Sequence, residues 1–190
     1  MAMDDDFKNA IVYNVSQENL VHYLSFLSID AFVSPTVNNC VAFYPKLWVE
    51  EGPSSAPDLL RNVSRRFGAN ALRLEIFNEV VFEYELYYHG SEVDTYTSFP
   101  GYADTGEQNE NIKTQANRLC SAFGVQTSLD LVIAILSLSN PFHNASQRCK
   151  TLAVSLNIPV EFVGLNYFLL GDNFFYVKGS HLDNFVVTTV

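Results

Sequence analysis

The chain has 190 residues and a formal net charge of −10, with 11 lysine and arginine residues against 21 aspartate and glutamate residues. A phosphate backbone is bound largely through lysine and arginine, so this balance argues against nucleic-acid binding. The aromatic content of 14% and the charged content of 17% are typical of a packed globular chain rather than of a disordered one.

Cysteine usage and hydropathy indicate a protein of the reducing cytoplasm. The three cysteines, Cys40, Cys120 and Cys149, are an odd number at long spacings, which predicts neither a disulfide framework nor a zinc knuckle. The start of the sequence is acidic and lacks the apolar segment of a secretory signal. The longest strongly apolar stretch, Leu129 to Leu138, is too short to span a bilayer. We therefore expect a cytoplasmic protein without a membrane partner.

The first half of the chain is patterned mainly for strands, after a start over residues 1–9 that resembles a frayed terminus. Alternating or continuous apolar runs predict the strands, and helical spacing with capping residues predicts the helices. In chain order the predicted elements are a strand over 10–15, a helix over 17–28 capped by Ser16, a hairpin over 32–44 that turns at Asn38-Asn39, a helix over 58–67 that ends at Gly68, a strand over 72–76, and a second hairpin over 80–99.

After Pro100 the pattern becomes helical. Helices are predicted over 107–123, 128–137, 145–156 and 160–170, the last ending at Gly171, followed by a late strand over 174–177. Runs of strands followed by runs of helices are typical of an α+β fold. We expect a sheet-containing lobe over residues 1–103 and a mainly helical lobe over 104–190, which could also pack as one domain.

The second hairpin is the most informative part of the sequence. It lies inside a run from Leu74 to Ile112 that contains no lysine or arginine. With a turn at His89-Gly90, or one residue later, regular alternation places Tyr84 and Leu86 on an apolar face. We expect both to be buried and the hairpin to be central or near-central in its sheet. The residues of the opposite face are the candidate binding residues Glu83, Glu85, Tyr87, His89, Glu92, Asp94 and Tyr96.

Several carboxylates on one narrow ribbon repel one another, so something is expected to compensate their charge. Arg61, Arg65 and Arg66 lie close together on one predicted helix and could fold over this face. A basic protein partner is the second interpretation, because complementary charge steers association. A divalent-metal or acid–base site is the third, since hard cations and proton transfer both use grouped carboxylates.

Part of the chain resembles an uncharacterised family of bacterial cytoplasmic proteins. The run from Leu86 to Tyr102 is similar to the family's pattern L-Y-x-D-G-x-x-V-D-x-Y-x-S-x-P-x-Y, and the segment from Leu152 to Gly171 is similar to its pattern L-A-x-x-L-x-[IL]-P followed by G-x-x-Y-x-x-x-G. This chain has His89 where the family often has aspartate, which weakens the signal for a type I′ turn. The resemblance implies no reaction, substrate or cofactor.

These patterns favour a non-enzymatic binding protein whose acidic hairpin face engages a basic protein, with an immunity-type protein as one version by analogy. The alternative is a metal-assisted enzyme that uses Glu83, Glu85 and Asp94. No nucleotide-binding, serine-hydrolase or zinc-protease signature occurs in the sequence, so no cofactor is indicated. The aromatic segment over 159–177 is interpreted as core, with a homodimer contact as the alternative.

Overall fold

A computed structural model of the chain describes residues 7–50, 56–77, 80–99, 111–138, 144–173 and 184–188. Seven strands form one sheet in which every pairing is antiparallel. The strands are β1 (Phe7–Tyr13), β2 (Ala31–Val33), β3 (Cys40–Pro45), β4 (Asn70–Phe77), β5 (Val81–Tyr88), β6 (Ser91–Thr97) and β7 (Val186–Thr188). Their order across the sheet is β6-β5-β4-β1-β3-β2-β7.

Helices cover both faces of this sheet, and together with it they make the predicted α+β fold. The helices are α1 (Gln17–Phe26), α2 (Leu47–Glu50), α3 (Ala56–Phe67), α4 (Ile112–Phe123), α5 (Leu129–Leu136), α6 (Ala145–Ser155) and α7 (Tyr167–Asn173). One core cluster joins the sheet to α1, α2 and α3, and the other joins the opposite face to α4, α5, α6 and α7. The helices after residue 111 thus share a core with the strands that precede them. Within the described residues, none of the helices has the length and apolarity needed to cross a membrane.

Local signals in the sequence explain why the elements begin and end where they do. The Ser16 side chain accepts a hydrogen bond from the backbone N–H of Asn19 and caps α1, as predicted. Asn38 and Asn39 have φ angles of 52° and 62° at the tip of the first hairpin, which confirms the predicted turn. Gly68 ends α3 with a φ of 58°, a left-handed conformation that glycine adopts without a steric cost.

Three predictions are wrong in position. Residues 7–9 belong to β1 rather than to a frayed terminus, because β1 lies at the centre of the sheet and pairs with both β3 and β4. The second hairpin lies at one side of the sheet, with β6 as an edge strand, although Tyr84 and Leu86 are buried as predicted. The helix predicted over 160–170 is a single 3-10 turn over Val160–Phe162 followed by α7, which begins at Tyr167 and passes through Gly171, since a single glycine costs only about 1 kcal/mol in a helix.

The C-terminal end of the described chain returns to the N-terminal part of the sheet. Strand β7 pairs with β2 at the edge opposite β6. The Thr188 hydroxyl donates to the carbonyl of Ile29 over 2.7 Å and accepts from the backbone N–H of Ala31 over 2.9 Å. The strand predicted over 174–177, which is the end of the aromatic segment, lies outside the described residues.

Candidate functional site

The tip of the hairpin formed by β5 and β6 is fixed against the end of α3. His89 and Gly90 have φ angles of 50° and 81°, the pair of positive values that a type I′ turn requires. The backbone N–H of Gly90 donates to Ser64 Oγ over 3.1 Å, and that hydroxyl donates to the carbonyl of Ala69 over 2.9 Å. A Cβ at Gly90 would lie 2.8 Å from the Cβ of Arg65, so only glycine allows this approach.

A β-bulge divides the candidate residues between the two faces of the sheet. Tyr87 pairs with Glu92, but Leu86 pairs with Asp94, so Val93 is an extra residue on β6 without a partner. From Asp94 onward, the side chains of β6 therefore point to the face opposite the one that regular alternation predicts. Asp94 and Tyr96 lie on the side of Tyr84 and Leu86 and are buried. The prediction that they share a face with Glu83 and Glu85 is wrong.

The face that keeps Glu85 carries a cross-strand charge network. Arg73 lies opposite Glu85 in the pairing of β4 with β5, and its guanidinium is 2.6 Å from a carboxylate oxygen of Glu85. The same guanidinium is 3.3 Å from Glu75, whose other oxygen is 2.8 Å from Lys8 Nζ on β1. Strand register thus alternates cations with carboxylates over three neighbouring strands.

The prediction that the arginines of α3 neutralise the hairpin carboxylates is wrong. Arg61 makes an ion pair with Asp58 of its own helix at 3.8 Å. Arg65 lies against Gly90, and Arg66 lies 6.0 Å from the ring centroid of Tyr23. The counter-charges of Glu85 and Glu75 come instead from Arg73 and Lys8, which lie on neighbouring strands. Backbone pairing holds these strand residues closer to the carboxylates than the helix residues of another layer.

Tyr87 links the network to the exposed edge of the sheet. Its hydroxyl lies 3.1 Å from Glu85 and 3.3 Å from Glu92, and it donates its single proton to one carboxylate at a time. Burial raises the pKa of Tyr87, and the two adjacent carboxylates raise it further. Burial also raises the pKa of Glu85 against the opposing effect of Arg73. Glu92 and His89 are exposed, and Glu83 is half-buried.

On the opposite face, Asp94 is the centre of a buried polar cluster. It accepts hydrogen bonds from the Tyr84 hydroxyl over 2.8 Å and from Gln115 Nε2 over 3.4 Å, and Arg118 of α4 lies 3.4 Å away. Burial raises the pKa of Asp94, while the Tyr84 hydrogen bond and Arg118 oppose that shift. The cluster joins the edge hairpin to α4.

Tyr96 forms a second buried cluster, with Arg148 of α6. The ring of Tyr96 stacks on that of Tyr84 at a centroid distance of 5.4 Å, and its hydroxyl donates to the carbonyl of Leu136 over 2.9 Å. Arg148 donates to the Tyr96 hydroxyl, to Leu136 and to the carbonyl of Ile135. Its charge is therefore buried against the carbonyls that end α5, where the helix dipole favours a cation.

Sequence reasoning missed this role of Arg148. Its described partners are a tyrosine hydroxyl and two backbone carbonyls of another helix, and such a set of partners leaves no pattern in the sequence. Burial lowers the pKa of Arg148 and raises the pKa of Tyr96 to about 12, so the phenol stays protonated at neutral pH. The arrangement therefore fixes helices to the hairpin.

The structure separates the three carboxylates that were considered as a metal site. Glu83 and Glu85 lie on one face of the sheet and Asp94 lies on the other, so the three carboxylates cannot converge on one ion. Among the residues that the structure describes, no group of three or more histidine, cysteine, aspartate or glutamate side chains could hold a metal ion. The three cysteines are buried and unpaired, and burial raises the pKa of Cys40 to about 12, which does not favour a nucleophilic thiolate.

We compared the chain with protein-family models, with curated proteins and with solved structures, and none of these comparisons found a match. The resemblance to the bacterial family stays a prediction.

Proposed function

We propose that this protein is a non-enzymatic binding protein that engages a basic protein partner through the acidic face of the β5–β6 hairpin. The observation that carries the proposal is a charge excess on that face. Among the described strand residues, the three carboxylates of Glu75, Glu85 and Glu92 lie in one connected network with two cations, Lys8 and Arg73. The excess lies towards β6, at the edge of the sheet.

The carboxylates near β4 and the carboxylate on β6 have different roles in the proposed binding. Glu75 and Glu85 are committed to Arg73 and Lys8 inside the fold. Glu92 is exposed, and its contact in the network is with the Tyr87 hydroxyl. A basic partner would therefore meet Glu92 first, while the half-buried Glu83 lies on the same face towards the other end of the hairpin. An immunity-type protein that neutralises a basic toxin is one version of this function, by analogy.

Binding of a labelled octalysine peptide, followed by fluorescence anisotropy at low and at physiological ionic strength, tests the proposal. Replacing Glu92→Gln should weaken binding by up to about fivefold, because one exposed charge pair contributes about 0.2–1 kcal/mol. The effect should shrink as salt screens the charges.

Glu18→Gln is the matched control. It removes the same charge from an exposed position on α1, a helix that contacts β2 and β7 at the opposite edge of the sheet. Equal weakening by the two substitutions would mean that the peptide senses only the net charge of the protein, and the proposed site would be wrong.

A further inference from the structure

A groove with a basic rim lies between α1 and the C-terminal end of α3. Its volume is about 510 Å³. The residues that line it are Asn19, His22, Tyr23, Phe26, Arg66 and Phe67. The rings of Tyr23 and Phe67 meet edge to face at 5.5 Å and form its apolar floor. Phe26 is 78% exposed, an unusual position for a large aromatic side chain, since seven of the eleven phenylalanine side chains that the structure describes are buried.

The charge of the groove is opposite to that of the protein. Arg66 lines the groove and is exposed, and in the part of the chain that the structure describes it makes no ion pair, whereas Arg61 on the same helix pairs with Asp58. The guanidinium of Arg66 lies 6.0 Å from the ring centroid of Tyr23. An arginine held over an aromatic ring keeps its hydrogen-bond donors available and loses less freedom when it binds a carboxylate.

A purely structural role explains only part of this arrangement. Arginines in the last turn of a helix interact favourably with its dipole, and Arg65 and Arg66 occupy the last turn of α3. That role needs neither the exposed Phe26 nor the open groove next to it. Aromatic side chains and arginine are the residue types that contribute most at protein interfaces.

We propose that this groove binds a short acidic peptide segment of another protein, with an apolar side chain between Phe26 and Phe67 and a carboxylate on Arg66. A nucleic acid is a weaker candidate, because a long polyanion would extend over a surface whose net charge is −10. A short segment senses mainly the charges within a Debye length, about 10 Å at 0.1 M salt. No residue of the acidic hairpin face lines the groove, so the two proposals are tested independently.

A fluorescein-labelled peptide of the sequence EELWLEEE is the probe, and its glutamine counterpart QQLWLQQQ is the control peptide. Anisotropy titrations should show saturable binding of the acidic peptide and markedly weaker binding of the control. Phe26→Ser and Arg66→Gln should each raise the Kd by about fivefold or more, as expected for an anchor at the centre of an interface.

Arg61→Gln is the matched variant, since it removes the same charge from another exposed position of α3 and should change the Kd less than about twofold. Urea unfolding of Phe26→Ser should match that of the unchanged protein, because so exposed a side chain contributes little to the core. Absence of peptide binding, an equal effect of Arg61→Gln, or tighter binding of a single-stranded oligonucleotide than of the acidic peptide would each overturn the proposal.

Discussion

Arg73 is the residue on which the charge balance of the buried sheet face depends. Its side chain is 7% exposed and contacts both Glu75 and Glu85. Replacing it by methionine keeps the apolar stem but leaves two buried carboxylates with Lys8 as the remaining cation of the network. Breaking a buried ion pair on one side typically costs about 3–5 kcal/mol. We expect Arg73→Met to lower the free energy of unfolding, measured in urea, by about that amount.

A second substitution separates lost charge balance from lost packing. In the double variant Arg73→Met with Glu85→Gln, one unpaired carboxylate is gone, so the protein should be more stable than with Arg73→Met alone. Arg61→Met removes an exposed arginine and should change stability by less than about 0.5 kcal/mol. A double variant no more stable than Arg73→Met would show that the guanidinium contributes through packing instead.

At the residue scale the sequence predicts which carboxylates gather, but not what neutralises them. The clustered α3 arginines are conspicuous, whereas Arg73 stands alone between two leucines of a strand. Its pairing with Glu85 depends on the register of β4 against β5, and single-residue register cannot be read from either strand alone. The sequence therefore predicts that residues of the fold neutralise the carboxylates, but it does not predict that Arg73 is the residue that does so.

At the scale of elements, the bulge at Val93 decides the faces of β6. A period of two is the correct rule for a regular strand, and one extra residue inverts it for every later position. The inversion buries Asp94 and Tyr96 on an edge strand. Bulges and inward-pointing charges are devices that protect edge strands from pairing with other chains. The bulge at Val93, which made the predicted faces of β6 wrong, thus also protects β6 as an edge strand.

Two single-residue deletions test this description of β6. Deleting Val93 removes the unpaired residue and leaves the pairs Tyr87–Glu92 and Leu86–Asp94 intact, so we expect the fold to persist with a loss below about 2 kcal/mol. Deleting Thr95 instead places Tyr96 opposite Glu85, outside the core. The expected loss is about 3–5 kcal/mol, as for truncation of a large buried side chain.

Urea unfolding of both deletion variants, with near-ultraviolet circular dichroism as a probe of aromatic packing, distinguishes them. The near-ultraviolet spectrum should be retained without Val93 and reduced without Thr95, because Tyr96 stacks on Tyr84 in the intact protein. Equal losses from the two deletions would contradict the assignment of Val93 as the extra residue.

At the scale of the whole molecule, the sequence predicts the α+β class and most elements, because each follows from local periodicity and capping. It does not predict that β1 is central or that β7 joins β2, since both depend on pairings between distant segments. It also does not reveal that helices cover both faces of the sheet. That coverage is what buries the hairpin carboxylates and sets their protonation behaviour.

Global stability should therefore depend on pH in an uncommon direction. Burial raises the pKa of Asp94 and of Glu85, so near and above the ordinary carboxyl pKa of about 4 the folded protein holds protons that the unfolded chain has released. Where the folded state binds more protons, stability falls as the pH rises. These two groups stabilise the fold most at the acidic end of this window and lose that contribution as the pH rises through their raised pKa values.

Asp94→Asn isolates one of the two contributions. The amide oxygen can still accept from the Tyr84 hydroxyl, and the side chain no longer titrates. We expect the free energy of unfolding, measured in urea from about pH 4.5 to 7, to fall less steeply with pH in the variant than in the unchanged protein. Its relative stability should thus improve towards neutral pH. If the difference in free energy of unfolding between the two proteins stays constant over this range, the pKa of Asp94 is not raised. If the variant instead becomes relatively less stable as the pH rises, Arg118 and the hydrogen bonds outweigh the effect of burial on that pKa.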